Sequence, residues 1–344
     1  MQKFPSIFPF RIGKDSFGGT FMCTAITFKT KDHYFGRNLD LEYSLGEQIV
    51  ITPRNFAFDF RMMDTLKTHY AIIGVAKIDN GYPLYYDATN EVGLSVAGLN
   101  FPDNAVYFKP QLGLNNIAPF ELIPFILGRF KSVSEVINFL QESNISDIAY
   151  SDDYPLSPLH WIVADEKESI TVETIKEGLK FYENPVGVLT NNPPFPYQIF
   201  NLNNYAHISA ENPEQTFSKC LSYDAYSRGL GGLGIPGDFS SMSRFVRAVF
   251  AKSMSVCASD ETDSISQFFH ILSYVEQVRG CVKVDDKEEI TVYSSCCNTT
   301  KGIYYYSTYQ NRSIRSVDMH KENLDSDFLI PYDMTGTEFV FSQN

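Results

Sequence analysis

The sequence predicts an α+β domain with layered sheets. Segments rich in β-branched and aromatic residues lie near both ends of the chain, as in MCTAITF and GIYYYSTYQ. Amphipathic helical patterns lie between them, and 344 residues with 44% hydrophobic content supply a substantial core. Because no repeat, low-complexity stretch or linker interrupts the chain, we expect a single domain over 23–344, preceded by an N-terminal extension over 1–22.

The first strands form a predicted hairpin. The run MCTAITFKTKDHYFGRNLDLE favours strands over 22–30 and 33–42, joined by a polar turn at Lys31-Asp32. Such a hairpin returns Arg37 and Asp40 towards Cys23. The register stays open, because a slip of one residue reverses which side chains share a face.

The middle of the chain alternates between strand and helix patterns. YAIIGVAKI and GLSVAGLN predict strands, and Ser132 and Glu135 have the spacing of a helix capping box before VINFL. WIVAD, SITVETI and KFYE then predict a β meander, because polar turns separate them.

Two longer helices and a final group of strands follow. Helices are expected from Ser243 to about Met254 and from Ser264 to Arg279, where Gly280 is a good C-terminal stop. EITVYSS, GIYYYSTYQ and SIRSVDM return to strand patterns.

Composition excludes several classes of partner. The formal charge of −13 argues against nucleic acid and anionic membrane surfaces, which need basic patches. No window approaches 18 consecutive apolar residues, and Pro5, Pro9, Arg11 and Lys14 interrupt any secretory signal in residues 1–21. Six cysteines without an export signal indicate free thiols and a cytoplasmic protein.

The dipeptide Met22-Cys23 has the most distinctive chemistry. If Cys23 becomes the first residue, one amino acid carries a thiol nucleophile and the free α-amine that activates it. The thiol titrates near ~8.5 and the amine near ~7.7–8.0, so the proton transfer between them costs only about 1 kcal/mol. The alternative is a small apolar residue in a buried strand.

Other motifs point to structural roles. Gly229, Gly231 and Gly234 match G-x-G-x-x-G, but neither a hydrophobic strand before them nor a helix opening within them is predicted, so a loop is favoured over a nucleotide site. The six histidines lack metal-ligand spacing, and no cofactor or metal is expected. A Cys-His dyad remains an alternative, and Cys296-Cys297 is interpreted as strand packing.

Two asparagines and two arginines have two interpretations each. Asn100 and Asn191 end strand-like runs, which suits turn chemistry or donation to an oxyanion. Arg37 lies in an apolar hairpin, and Arg244 lies near the start of a helix, where a cation opposes the macrodipole. Each is either a surface charge or a functional one.

From Met22 to about Ile330 the chain resembles the choloylglycine hydrolase family, the bile salt hydrolases and penicillin V acylases. The stretches that carry this resemblance are MCTAITF, FGRNLDLEYS, ITPRNF, NEVGLSVAGLNFP, LHWIVAD, GVLTNNPPF, GLGIPGDFSSMSRFVRA, FFHIL, QVRG and KGIYYYSTY. The resemblance implies the four-layer αββα sandwich of N-terminal nucleophile hydrolases.

The resemblance also implies site roles. Cys23 corresponds to the nucleophile, Arg37 to the residue beside its thiol and Asp40 to the partner of the α-amine. The side chain of Asn191 and the backbone at Asn100 correspond to the oxyanion donors. Arg244 corresponds to the second arginine of the site.

The implied substrate is a conjugated bile salt, cleaved to a bile acid and glycine or taurine. Asn100 favours this branch, because the penicillin acylases usually carry Tyr there. Leu39 and Tyr86 are implied to line the steroid pocket, and a homotetramer is expected. A penicillin V acylase or related N-acyl amide hydrolase is the enzymatic alternative. An unprocessed precursor or a steroid-binding module is the non-enzymatic one.

Family members usually begin at Met-Cys or carry a short propeptide, whereas 21 residues precede Met22 here. A misplaced start, an added leader or a propeptide would each account for residues 1–22.

Overall fold

The computed structural model describes residues 22–222, 224–284, 286–334, 336–338 and 340–344. The expected N-terminal extension lies outside the described residues, apart from Met22. The described strands are β1 (Met22–Lys29), β2 (His33–Leu41), β3 (Gln48–Thr52), β4 (Ile72–Asp79), β5 (Tyr82–Asn90), β6 (Ser95–Asn100), β7 (Asn115–Ile117), β8 (Ser143–Ile145), β9 (Leu159–Ala164), β10 (Ser169–Ile175), β11 (Gly178–Glu183), β12 (Val188–Leu189), β13 (Lys283–Val284), β14 (Lys287–Glu288), β15 (Ile290–Asn298), β16 (Ile303–Thr308), β17 (Asn311–Asp318) and β18 (Ile330–Asp333).

Helices cover the outer faces of the sheets. The described α-helices are α1 (Leu122–Arg129), α2 (Val133–Leu140), α3 (Phe195–Asn201), α4 (Ser241–Met254) and α5 (Glu261–Ser273). Among the described residues, sheet A has the antiparallel order β12-β1-β2-β15-β16-β17, and sheet B has the order β11-β10-β9-β6-β5-β4-β3-β18. Helices α4 and α5 pack on sheet A, and α1 packs on sheet B. Since β1 and β2 also contact β5 and β6, the layers follow the expected αββα order.

Strand β9 shows why the apolar runs are continuous. Ile162 faces the core between the sheets, while Trp161 and Val163 face the core beneath α1. All three are fully buried, because both faces of sheet B are covered. A run such as WIVA therefore has no polar alternation.

The N-terminal hairpin is confirmed, and its register is now defined. Cys23 pairs with Leu39 and Ala25 pairs with Arg37, while Met22 lies opposite Asp40. Every residue of β2 is buried, because sheet B covers one face and helices cover the other.

The helix expected over Ser264–Arg279 is shifted in the structure. Helix α5 begins at Glu261, because the side chain of Asp260 accepts the N–H of Asp263 and caps it. It ends at Ser273, and Gly280 lies in a later turn. The backbone of Gln277 instead exchanges hydrogen bonds with Thr291 in β15, which draws the chain out of the helix.

The cap of α2 agrees with the expectation in part. Ser132 accepts the N–H of Glu135, as a capping box requires. The Glu135 carboxylate accepts from the N–H of Lys131 and not from that of Ser132. The glycines at 229, 231 and 234 lie around a short 3-10 turn, in agreement with a loop.

Candidate active site

The N-terminal hairpin brings Arg37 onto the thiol of Cys23. Arg37 Nη2 donates to Cys23 Sγ at 2.5 Å, and the backbone N–H of Asp40 also bonds the sulfur. Cys23 is 1% exposed and Arg37 is fully buried. The thiol therefore faces a fixed positive charge that water does not screen.

Carbonyl groups of the opposite sheet hold the Arg37 guanidinium in place. Nη1 donates to Gly98 O at 2.6 Å in β6 and to Tyr86 O at 3.1 Å in β5. Both acceptors are neutral, so they orient the cation without neutralising it. Burial lowers the pKa of Arg37, but the nearby Cys23, Tyr293, Asp87 and Asp40 raise it by more, so the guanidinium stays charged.

The pKa of Cys23 reflects opposing influences. Burial raises the pKa of the thiol, Arg37 opposes this increase and the carboxylate of Asp40 adds to it. The net pKa lies above the ordinary thiol value. An adjacent base is needed to take the proton at neutral pH.

Asp40 lies behind the backbone of Cys23 and has an open acceptor atom. Thr291 Oγ1 donates to Asp40 Oδ1 at 2.6 Å. Asp40 Oδ2 is buried without a hydrogen-bond partner among the described residues, and Arg244 Nη1 lies 4.0 Å from it. Burial raises the pKa of Asp40 to about 7, while Arg244 lowers it. A buried acceptor without a donor is suited to bind a cation nearby.

A second carboxyl group contacts the residue before the cysteine. Glu289 Oε1 accepts the backbone N–H of Met22 at 3.0 Å. Burial and the charge of Asp40 raise the pKa of Glu289 to about 8. Glu289 could not be predicted from the sequence, because nothing in the run KEEI marks one acid as buried.

Asn191 links the segments around Cys23. Its Oδ1 accepts the N–H of Cys23 at 2.9 Å and Arg244 Nη2 at 2.7 Å. Its Nδ2 donates to Asn100 O at 2.8 Å. The two asparagines that the sequence placed at strand ends thus meet beside the thiol, so simple turn chemistry does not describe them fully.

Arg244 reaches the cysteine from the first turn of α4. Its Nη1 donates to Cys23 O at 2.5 Å and to Thr24 Oγ1 at 2.7 Å. The side chain is fully buried. Like Arg37, it is a buried cation of the site and not a surface charge.

Other groups fix the backbone of Asn191, and sequence reasoning missed them. Ser241 Oγ accepts the N–H of Asn191 at 2.8 Å, and Gln198 Nε2 donates to its carbonyl at 2.6 Å. Asp87 is similar: it is buried in β5 and accepts from Tyr293 at 2.6 Å. The sequence does carry a signal for Asp87, because a carboxylate in the apolar run YYDAT is a charge in an apolar strand, as Arg37 is in its hairpin.

The residues implied to line a substrate pocket lie close to the thiol. Leu39 is opposite Cys23 in the hairpin and is 3% exposed. Tyr86 is partly buried against the core between the sheets and supplies a carbonyl to Arg37. Their contact with substrate remains a prediction.

The buried histidines bond groups other than the thiol. His33 contacts Thr299, and His69 contacts the carbonyls of Tyr70 and Phe56. His160 contacts Glu173 and Thr190 O. These contacts disfavour a Cys-His dyad. Cys296 and Cys297 are buried in β15, as strand packing requires.

Among the described residues, no group of three or more histidine, cysteine, aspartate or glutamate side chains is arranged to hold a metal ion. In the same part of the chain, no helix has the length and apolar character needed to cross a membrane.

The αββα architecture, with a cysteine at the start of a strand in sheet A, is that of the N-terminal nucleophile hydrolases. A sequence profile described as linear amide C-N hydrolases, choloylglycine hydrolase family, matches residues 23–332. The chain belongs to the choloylglycine hydrolase family.

Curated relatives agree with this assignment. The chain is 54% identical over 324 residues to a bile salt hydrolase/transferase from Lactiplantibacillus plantarum, covering 94% of this chain and 100% of that protein. It is 40% identical over 317 residues to a bile salt hydrolase/transferase from Clostridium perfringens, covering 90% and 96% of the two chains.

Solved structures extend the comparison. A mutant conjugated bile acid hydrolase from Clostridium perfringens matches with a TM-score of 0.87 and 39% identity, covering 94% of this chain and 100% of that one. Penicillin V acylase from Agrobacterium tumefaciens matches with a TM-score of 0.71 at 17% identity, covering 91% and 92%, and supports the fold alone.

Proposed function

We propose that this protein hydrolyses the amide bond of glycine- or taurine-conjugated bile salts, with Cys23 as its nucleophile. The contact between Arg37 and the Cys23 thiol, beside the open acceptor of Asp40, carries the proposal. Membership of the family and the relatives named bile salt hydrolases support the substrate class.

The base is the α-amine that Cys23 acquires when residue 22 is removed. As a peptide nitrogen it donates to Asn191 Oδ1 and cannot accept a proton. As a free amine it takes the thiol proton and becomes an ammonium ion, which the open oxygen of Asp40 is suited to bind. Arg37 stabilises the thiolate left behind.

The thiolate then attacks the amide carbonyl carbon of the substrate, forming a C–S bond and a tetrahedral oxyanion. The backbone N–H of Asn100 and the side-chain amide of Asn191 are the proposed donors to this oxygen. The ammonium returns its proton to the nitrogen of the substrate, the C–N bond breaks, and glycine or taurine leaves. A thioester to Cys23 remains.

Water completes the cycle. The α-amine takes a proton from water, the hydroxide adds to the thioester carbonyl, and the C–S bond breaks with the proton returning to sulfur. A second amine in place of water would give acyl transfer, and the relatives from L. plantarum and C. perfringens are named as transferases as well as hydrolases.

The direct test assays amino acid release from glycocholate and taurocholate by protein starting at Cys23. We expect release from at least one substrate and at least a 10³-fold loss in Cys23→Ser, because a hydroxyl is a far weaker nucleophile at neutral pH. A Cys281→Ser variant, which changes an exposed free cysteine, serves as the control. Full activity in Cys23→Ser would contradict the mechanism.

An assay with penicillin V tests the alternative that the protein is a penicillin V acylase. Cleavage of penicillin V with no release of glycine or taurine would assign the protein to the acylase branch. Protein that binds taurocholate but does not turn it over, both with Met22 retained and after residue 22 is removed, would instead support a steroid-binding module.

A homotetrameric, cytoplasmic enzyme is part of the proposal. The family resemblance supports the tetramer, and six free cysteines suit a reducing compartment. Light scattering should give the mass of four chains, and cell fractionation should recover the activity with the cytoplasm. A monomeric mass, or activity outside the cell, would contradict these two points.

A further inference from the structure

We propose that His160, held by Glu173, is a positioning residue that fixes the two segments carrying Asn100 and Asn191. The inference rests on the proposed function, because it takes these two asparagines as the oxyanion donors. His160 contacts Glu173, Thr190 O and Phe101, so its effect on the two asparagines is exerted through these neighbours.

His160 contacts the residue next to each asparagine. It lies in β9 opposite Leu99, so it is adjacent to the end of β6 that carries Asn100. Its ring stacks on Phe101 with centroids 4.3 Å apart and planes 5° apart. Its Nε2 lies 2.8 Å from Thr190 O, the carbonyl of the peptide bond that leads into Asn191.

Glu173 fixes the ring from the other side. Its Oε1 lies 3.2 Å from His160 Nδ1 and accepts the N–H of Phe195, the first residue of α3, at 2.9 Å. Both side chains are fully buried. Glu173 therefore ties the orientation of the imidazole to the helix that follows Asn191.

Hydrogen bonding favours one orientation of the His160 imidazole. Thr190 O is a carbonyl and only accepts, so Nε2 must carry hydrogen. A flipped ring would place carbon atoms against Glu173 Oε1 and Thr190 O, so Thr190 O would lose its hydrogen bond to the ring. A buried polar pair adds little net stability compared with apolar packing. The contribution of the His160–Glu173 pair is therefore to fix the distance between the segments that carry Asn100 and Asn191.

The separation of the segments matters because oxyanion donors act only at short range. Donors must lie about 2.7–3.1 Å from the developing oxygen, and losing one typically lowers kcat by about 10²–10³. The strand end at Asn100 and the turn at Asn191 come from different sheets. The stack on Phe101 and the bond to Thr190 join them through a single side chain.

Two variants test the proposal. His160→Phe keeps an aromatic ring on Phe101 and removes both ring nitrogens, while Glu173→Gln keeps a side-chain oxygen that can accept the N–H of Phe195. We expect kcat per active site to fall about 100-fold in His160→Phe, the cost of displacing a catalytic group by about 1 Å. The KM should stay within about threefold, and Glu173→Gln should lie between wild type and His160→Phe.

Alkylation separates positioning from folding. Iodoacetamide reacts with the thiol without forming an oxyanion, so mass spectrometry of the Cys23 peptide should give wild-type alkylation rates in both variants. Dividing the rate by the concentration of titrated active sites excludes unfolded protein from the value of kcat. His69→Gln is the matched control, because His69 is also buried and bonds two carbonyls, away from Cys23. It should lower stability and leave kcat per site unchanged.

The outcomes are distinct. A kcat per titrated site within twofold of wild type in both variants would overturn the role of His160 while leaving the proposed function intact. Wild-type protein that cleaves penicillin V but no bile salt would overturn the substrate, and the same variants then report on His160 with penicillin V. If Cys23 of the wild-type protein is alkylated but the protein cleaves neither bile salts nor penicillin V, both the proposed function and the role of His160 would be overturned.

Discussion

Arg37 is the residue that most directly tunes Cys23, the proposed nucleophile. Burial raises the pKa of the Cys23 thiol, and the charge of Arg37 is the largest influence opposing this. In Arg37→Met the pKa of Cys23 should rise further. A rise of one pKa unit would slow alkylation of Cys23 at pH 7 about tenfold.

The measurement is the pH dependence of Cys23 alkylation. The profile of Arg37→Met should move to higher pH, while an Arg228→Met control, at an exposed position, should keep the wild-type profile. An unchanged profile in Arg37→Met would show that the guanidinium does not stabilise the thiolate.

Asp40 and Glu289 should make the stability of Met22-bearing protein fall as pH rises. Their pKa values are about 7 and about 8 in the folded protein. Both exceed the ordinary values of about 4 in unfolded chains, so the folded state holds more protons between about pH 4 and pH 8. The free energy of unfolding should fall by at most about 1.4 kcal/mol per pH unit for each group.

Urea unfolding of Cys23→Ala protein at several pH values measures this effect. Adding Glu289→Gln should flatten the decrease between pH 5 and pH 8. Glu288→Gln is the control, because Glu288 is the exposed neighbour. Equal slopes in the two variants would contradict a protonated Glu289 in the Met22-bearing protein.

At the scale of elements, the packing of β2 against β15 positions Arg37. A Cβ on Gly36 would overlap the backbone carbonyl of Ser295 in β15. Ser295 Oγ accepts the N–H of Arg37 at 3.1 Å, so moving β15 also moves the guanidinium. Gly36→Ala should destabilise the protein by about 1–3 kcal/mol and lower kcat.

Gly237→Ala is the matched control for this substitution. A Cβ there meets nothing within 4 Å, and its backbone is not in the left-handed region. Its stability should equal or slightly exceed that of wild type, because alanine restricts the unfolded chain. If Gly36→Ala had the urea midpoint and the kcat of wild type, the close approach of Gly36 to Ser295 would not be needed to position Arg37.

Strands were predicted better than helix ends. β1 and β2 carry dense β-branched and aromatic residues, so their existence follows from the sequence. Helix α5 ends before its apolar pattern does, because Gln277 bonds Thr291 from a distant strand. Such a tertiary contact leaves no local signal.

Some residues of the candidate site could likewise be predicted from the sequence, and others could not. Cys23, Arg37 and Asp40 lie in one hairpin, so their proximity was predictable from spacing. Glu289 and His160 join from distant segments, and no local pattern distinguishes them from other buried polar residues.

For the whole molecule, the layered architecture followed from the order of strands and helices, and the family resemblance supplied the layer order. The register of β1 on β2 needed the structure, since both faces of these strands are buried and no alternation sets it. The same burial isolates Arg37, Asp40 and Arg244 from water around Cys23.

We propose that Cys23 alone supplies both the thiol and the base. The most direct measurement pairs intact mass with amino acid release from glycocholate and taurocholate, in samples that mix protein starting at Cys23 with protein retaining Met22. Turnover should rise in proportion to the fraction that starts at Cys23 and extrapolate to zero for Met22-bearing protein. Full turnover by protein that retains Met22 would contradict the account.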